Sequence, residues 1–270
     1  MASKKITIQV FSDIHIELWN KLPEIPIKAK YLFLAGDICT LRHPLFYKFF
    51  DYCSKRWEKV FYVPGNHEFY DTQKNYNELD FEYKLKLNQR YKNIFYLNDE
   101  IAPLNDSINV YGSVFWTNPT FNSTNEAKHF INDYNTIRYF NKNSMRVDNW
   151  NLTYVRKLSD NAFLNLNNHL NETNKETIIM THFPPFRTGS SNPNFDNENP
   201  IIKSYFTWPD ETLDKLNLLN VPIWISGHTH WSFNFDKFGT KFISNQIGYS
   251  EDIKYSGVNE DGIYEIDIIS

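Results

Sequence analysis

No apolar run in the 270 residues is long enough to cross a membrane, and the chain contains only two cysteines, nine glycines and three methionines. The missing run excludes a helical membrane anchor. Two isolated thiols, Cys39 and Cys53, could pair with each other but are expected to be reduced, and the absence of thiolates from the candidate ligands argues against a structural zinc knot. An excess of positive charge is also lacking. The 28 lysines and arginines face 32 aspartates and glutamates, a formal net charge of −4. That balance predicts no strong nucleic-acid binding and no pull toward an anionic membrane, although a metal site could still supply local positive charge for an anionic substrate. The opening "MASKKITIQVFSD" lacks the apolar core of a signal peptide and alternates like a strand, so a cytoplasmic location with reduced thiols is expected.

What the chain has in quantity is core material. A hydrophobic content of 41%, with 17% aromatic residues, can fill one large domain. Strand-like runs rich in β-branched and aromatic residues occur at "KITIQVF", "KYLFLAG", "KVFYVPG", "NIFYLND", "INVYGSVFW", "TIIMTHF", "VPIWISG", "FNFDKFGTKFIS" and "GIYEIDII". The spacing predicts helices over 44–57, 72–91, 150–170 and 210–219. Strands alternating with helices in the first half imply an α/β layered domain, closed by antiparallel strands. A single domain over 1–270 is expected, with insertions at about 117–149 and 184–209, two polar stretches of little periodicity. Structureless loops of that length are usually functional or disordered.

Five strand runs end on residues able to hold a metal. These are Asp13 and His15 in "VFSDIH", Asp37 in "LFLAGD", Asn66 and His67 in "FYVPGNHE", His182 in "IIMTH", and His228 and His230 in "IWISGHTH". Five of the eight histidines lie in this set. Ligands bind beyond the carboxyl ends of strands in open α/β sheets, so these residues can meet in one crevice. Residues two apart in extended backbone face the same side, which would aim Asp13 with His15, and His228 with His230, at one point. Gly36, Gly65 and Gly227 allow tight turns or close approach. Carboxylate, imidazole and amide oxygen together suit Mn, Fe, Zn or a similar divalent ion, with Mg, Ni and Co also possible.

Asp-x-His, Gly-Asp, Gly-Asn-His-Glu, a lone His and Gly-His-x-His, in that order from Asp13 to His230, resemble the calcineurin-like metallophosphoesterases. Each piece alone is weak; five in order are specific. The resemblance implies a four-layer α-β-β-α sandwich, two mixed sheets flanked by helices, with two metal ions at one edge. It implies that Asp13, His15, Asp37 and His230 hold one ion. Asp37, Asn66, His182 and His228 would hold the other, with Asp37 bridging. Two such ions about 3.5–4 Å apart can activate a bridging hydroxide and clamp a phosphoryl group. His67, left without a metal, would stabilise the transition state or protonate the leaving oxygen, and with Asn66 would contact substrate.

Other residues carry weaker signals. Arg187 could clamp a phosphate or simply be solvated. Glu68 could orient a histidine or form an ordinary salt bridge. Trp116, Phe186, Tyr205 and Trp208 could wall a nucleobase, but core packing is the plainer reading, as burial is for Cys39. His43, His129 and His169 fall outside the pattern. "GDICTLRH" lacks the Val-Asp-Arg-Gly element of the protein phosphatases, Asp13 is not the cysteine of RNA-debranching relatives, and there is little room for a DNA-binding extension. The expectation is therefore a phosphodiesterase or phosphatase acting on a phosphorylated small molecule or nucleotide. The alternatives are a catalytically silent binding scaffold and a nuclease for short single strands.

Overall fold

The computed structural model describes residues 3–19, 21–71, 73–195 and 198–269. Strands β1 (Ser3–Phe11), β2 (Tyr31–Ala35) and β3 (Lys59–Val63) run parallel, with helix α1 (Phe46–Ser54) between β2 and β3. Helix α2 (Tyr76–Arg90) leads to β4 (Ile94–Tyr96), also parallel. The chain then enters a second sheet through β5 (Glu100–Pro103) and β6 (Ile108–Ser113). Helices α3 (Thr124–Phe130) and α4 (Asp133–Thr136) and a hairpin of β7 (Arg138–Asn141) and β8 (Arg146–Asn149) precede the long α5 (Leu152–Glu172) and β9 (Glu176–Thr181). Helix α6 (Pro200–Phe206) comes before β10 (Ile223–Ser226), β11 (Phe233–Lys237) and β12 (Thr240–Ser244). Finally β13 (Ile263–Ile269) returns to pair antiparallel with β1. The sheet orders are β13-β1-β2-β3-β4 and β11-β12-β10-β9-β6-β5.

The period of two sorts side chains into layers. Ile8, Val10, Phe33, Ala35, Phe61 and Val63 of the first sheet meet Val110, Ile178, Met180, Ile223, Ile225 and Ile243 of the second in one buried core. The alternate residues Leu32, Leu34, Val60 and Tyr62 turn outward onto Phe46, Phe49, Phe50, Leu79, Tyr83 and Leu87 of α1 and α2. On the far side Ile179 and Trp224 pack with Ala162, Leu166 and Leu170 of α5. The expected four-layer α-β-β-α sandwich is therefore what the chain forms.

Some element boundaries differ from the sequence reading for local reasons. Helix α2 begins at Tyr76 because Asn75 and Glu78 form a reciprocal capping box; Thr72, the expected start, lies outside the described residues. The stretch 210–219 is not an α-helix but a 3-10 turn over Asp210–Lys215. Thr212 and Leu213 are its buried residues, and Leu216 leaves the turn in extended conformation. Strand β5 escaped the sequence reading because an edge strand that short, ending in proline, carries little pattern. The segments 117–149 and 184–209 are not structureless: the first holds α3, α4 and the β7–β8 hairpin, and the second holds α6.

The inter-sheet core sets stability. Ile178→Ala, at a buried position of β9, should lower the unfolding free energy in urea by about 2–5 kcal/mol. Leu164→Ala, on the exposed face of α5, should change it by no more than about 0.5 kcal/mol.

Candidate metal centre

Strands β1, β2, β3, β9 and β10 all end at one edge of the sandwich, and the loops that leave them carry the seven expected ligands. The backbone there is not extended. Asp13, His15, Asp37, His228 and His230 have φ of 53°, 48°, 52°, 75° and 53°, all left-handed. Asp13 with His15, and His228 with His230, therefore reach the site through tight turns, not through strand alternation. Such backbone costs free energy of order 1 kcal/mol or more per residue and persists only where the surroundings hold it. The holding bonds are visible: His15 N–H donates to Asp37 O at 3.0 Å, Asp13 N–H to Gly36 O at 3.0 Å, and Gly248 N–H to Asp13 O at 2.9 Å. The glycines act by leaving room. A Cβ on Gly65 would collide with the Asp37 carboxylate, and one on Gly227 would lie 2.7 Å from Asp13 Oδ2.

The side-chain atoms converge. His15 Nε2 and His230 Nε2 lie 3.2 Å apart, and His230 Nε2 lies 3.6 Å from Asp13 Oδ1. On the other side His182 Nε2 is 3.1 Å from Asn66 Oδ1 and 3.2 Å from His228 Nδ1. Asp37 stands between. Its Oδ1 accepts from His67 N–H at 2.9 Å, while Oδ2 lies 3.8 Å from His15 Nε2 and 3.5 Å from His182 Nε2. Asp13–His15–His230 and Asp37–His182–His228 each form a group with the spacing of cation ligands, and His15–Asp37–His67 overlaps both. Nitrogen and oxygen donors without sulfur, drawn this close inside the protein, fit hard or borderline divalent cations.

Neighbouring residues fix how each ligand is presented. His15 Nδ1 faces Glu17 Oε1 at 3.0 Å, His182 Nδ1 faces Ala35 O at 2.9 Å, and His230 Nδ1 faces Asp252 Oδ2 at 2.5 Å. Donating Nδ1–H outward turns each Nε2 toward the centre. Asn66 donates from Nδ2 to Asp133 Oδ1 at 3.0 Å, so its Oδ1 points inward. His228 has no such acceptor: its Nε2 is buried without a partner. Rings hold it instead, with Phe183 at 4.0 Å and Tyr205 and Phe206 each at 5.4 Å.

Charge in the cluster is strongly coupled. Burial alone would raise the Asp37 carboxyl, but the imidazoles of His182, His67 and His15 outweigh it and hold Asp37 well below the usual carboxylate range. Burial opposes the charge on His182 too, and the Asp37 carboxylate overcomes it and lifts His182 to about 9. Burial and the neighbouring His182 both push His228 well below its ordinary value. The two rings thus oppose each other's charge, and a cation bound between them would compete with protons for their nitrogens.

Glu68 neither orients a histidine nor forms a salt bridge. Its buried Oε1 accepts from Ile38 N–H at 2.7 Å, Cys39 N–H at 3.2 Å and the Tyr62 hydroxyl at 2.9 Å. Oε2 accepts from Asp37 N–H at 3.0 Å and Gly65 N–H at 2.6 Å. Burial and the nearby Asp37 push its carboxyl up, the backbone donors oppose them, and the balance leaves it at about 7. This carboxylate pins the loop carrying Asp37 to the loop carrying Asn66.

His67 lines the cleft above the cluster, stacked on Tyr70 at 4.4 Å, with Nε2 3.2 Å from the Tyr249 hydroxyl. Arg187 lines the same cleft, and its Nε is buried without a partner. Tyr205 lies there as well; Trp116, Phe186 and Trp208 belong to the core, and Cys39 is buried. His43, His129 and His169 serve local backbone or hydroxyl contacts away from the cluster. Sequence reasoning missed Glu17, Asp133, Tyr249 and Asp252. Only Glu17, two residues after His15, had a local signal.

Histidines, carboxylates and an amide gathered at the strand ends of two packed mixed sheets define a metal-dependent hydrolase site of the α-β-β-α sandwich type. The chain belongs to the calcineurin-like phosphoesterase family, whose model matches residues 6–232, and is a metal-dependent phosphoesterase. It is 32% identical over 267 residues to the "uncharacterized protein L509" of Acanthamoeba polyphaga mimivirus, covering 91% of this chain and 92% of that protein. Among solved structures, the phosphopantetheinyl hydrolase PptH from Mycobacterium tuberculosis shares the fold, with a TM-score of 0.68 at 16% identity, covering 96% of this chain and 95% of that one. Among the described residues, no helix is long and apolar enough to cross a membrane.

Two outcomes are expected. Glu68→Gln puts an amide where carboxylate oxygens accept from backbone N–H groups. It should weaken Mn binding about 10–100-fold by calorimetric titration and lower unfolding free energy by about 1–3 kcal/mol. For Glu17, burial alone would raise the carboxyl, but His15 and His67 lower it from 4.5 to about 2. A carboxyl depressed by folding stabilises above its unfolded value and loses that contribution as pH falls. In metal-free protein, the stability gap between wild type and Glu17→Gln should therefore shrink from pH 4.5 down to about 2, read by urea titration at each pH.

Proposed function

We propose that the chain is a dinuclear phosphoesterase, a phosphodiesterase or phosphatase for small or nucleotide-like phosphoesters. Asp13, His15, Asp37 and His230 would hold one cation, and Asp37, Asn66, His182 and His228 the other. Mn, Fe or Zn fits the donor set best. The carrying observation is the position of Asp37 Oδ2, within 3.8 Å of His15 Nε2 and 3.5 Å of His182 Nε2, so that one carboxylate oxygen serves both halves of the donor cluster. When bound, the cations supply Lewis-acid polarisation of phosphoryl oxygens and acidify water.

The chain's own groups do the rest. Burial opposes the charge on His67, but the carboxylates of Asp37 and Glu17 outweigh it and raise the ring to about 9. A protonated His67 ring would hydrogen-bond a phosphoryl oxygen or donate a proton to the leaving oxygen. Tyr249, at its Nε2, sets the ring's angle. Arg187 offers a guanidinium for a phosphoryl oxygen from the cleft wall. The cleft measures about 560 Å³, a size suited to a small molecule. The whole chain acts as one domain in which 117–149 and 184–209 are insertions that build this cleft.

Hydrolysis of bis-p-nitrophenyl and p-nitrophenyl phosphate with added Mn tests the reading. Asp37→Asn and His228→Ala should each lose on the order of a thousandfold in kcat/KM, about 4 kcal/mol of barrier. Undiminished turnover in both variants would sink the assignment.

A further inference from the structure

Among the exposed large apolar residues, Phe130, Phe195 and Phe206 share one location. They expose 55, 54 and 36% of their surfaces, and all three line the cleft that opens over His67 and His228. They come from both inserted segments: Phe130 ends α3, Phe206 ends α6, and Phe195 closes a 3-10 turn at Pro193–Phe195. The Phe206 ring lies 5.4 Å from the ring of His228, tilted 32° to it, so the apolar wall begins beside the phosphoryl site itself.

The wall is anchored. Thr117 Oγ1–H donates to Tyr205 O at 2.7 Å, and Thr120 N–H donates to Ser204 Oγ at 2.9 Å, so one inserted segment holds the other. The Tyr205 hydroxyl donates to Asp133 at 2.5 Å, and Asp133 also holds Asn66. Phe206, next in the chain to Tyr205, is therefore held over the cluster. Aromatic surface exposed inside a cleft favours an apolar group there, since a bare phosphate would gain nothing from it.

We infer that this cleft recognises its substrate by an apolar organic arm, an alkyl or aryl group carried by the phosphoryl centre and laid against Phe130, Phe195 and Phe206. The inference rests on the phosphoesterase reading and narrows its substrate class to esters with such an arm.

A non-hydrolysable series separates the two. Methyl-, butyl- and hexylphosphonate are titrated calorimetrically into the Mn-loaded protein, so no turnover is required. Affinity should rise about two- to fourfold per added methylene, and Phe130→Ala and Phe206→Ala should each flatten that slope. Equal affinity for methyl- and hexylphosphonate in the wild type overturns the inference and leaves the phosphoryl site standing. A steep slope that survives in both variants also overturns it, because the arm then lies elsewhere. Failure of every member to bind the Mn-loaded protein removes the phosphoryl site and the inference together.

Discussion

Burying the Glu68 carboxylate among four backbone N–H groups and the Tyr62 hydroxyl ties the loops after β2 and β3 into a single floor. An ionised carboxylate without partners would be expensive at that depth, and each donor it gathers offsets part of the cost. The donors are the amides of residues 37–39 and 65, so satisfying the charge also fixes the backbone that aims Asp37 and Asn66. Asp37 then faces the histidines of both halves of the cluster, and its Oδ1 holds the amide of His67. Loosening this carboxylate would loosen Asp37 and Asn66 before either had itself changed.

Much of this was legible in the sequence because it is written in local patterns. Strands are short apolar runs, the sandwich follows from their alternation, and the candidate ligands sit where those runs stop. The backbone that presents the ligands was not legible. Alternation suggested that Asp13 and His15 project together from extended chain, whereas the ring and carboxylate are brought together by left-handed turns locked by bonds between loops. Partners distant in sequence were equally silent. Asp133 reaches Asn66 across 67 residues, and Asp252 reaches His230 from beyond the matched family region. Neither acidic residue sits in a motif, and only the folded arrangement gives it a task.

The segments 117–149 and 184–209 are joined to the strand-end cluster through Asp133. Asp133 accepts from Asn66 and Tyr70, at the two ends of one turn, and from Tyr205, far along the chain. Burial raises its carboxyl while these donors oppose that rise. A polar network this enclosed transmits position well, because no member can shift without leaving a buried group unpaired. The cleft wall and Asn66, a candidate ligand, are thereby held in a common frame.

The left-handed turns at five candidate ligand positions carry an evolutionary consequence. Such backbone is adopted readily by glycine and tolerated by asparagine, aspartate and histidine, but resisted by β-branched side chains. The loops therefore restrict the chemical alphabet of the site before any cation does. Drift can exchange one oxygen or nitrogen donor for another at these turns. A valine or threonine would break the turn itself, so the scaffold biases its own mutational neighbourhood toward residues that can still bind metal.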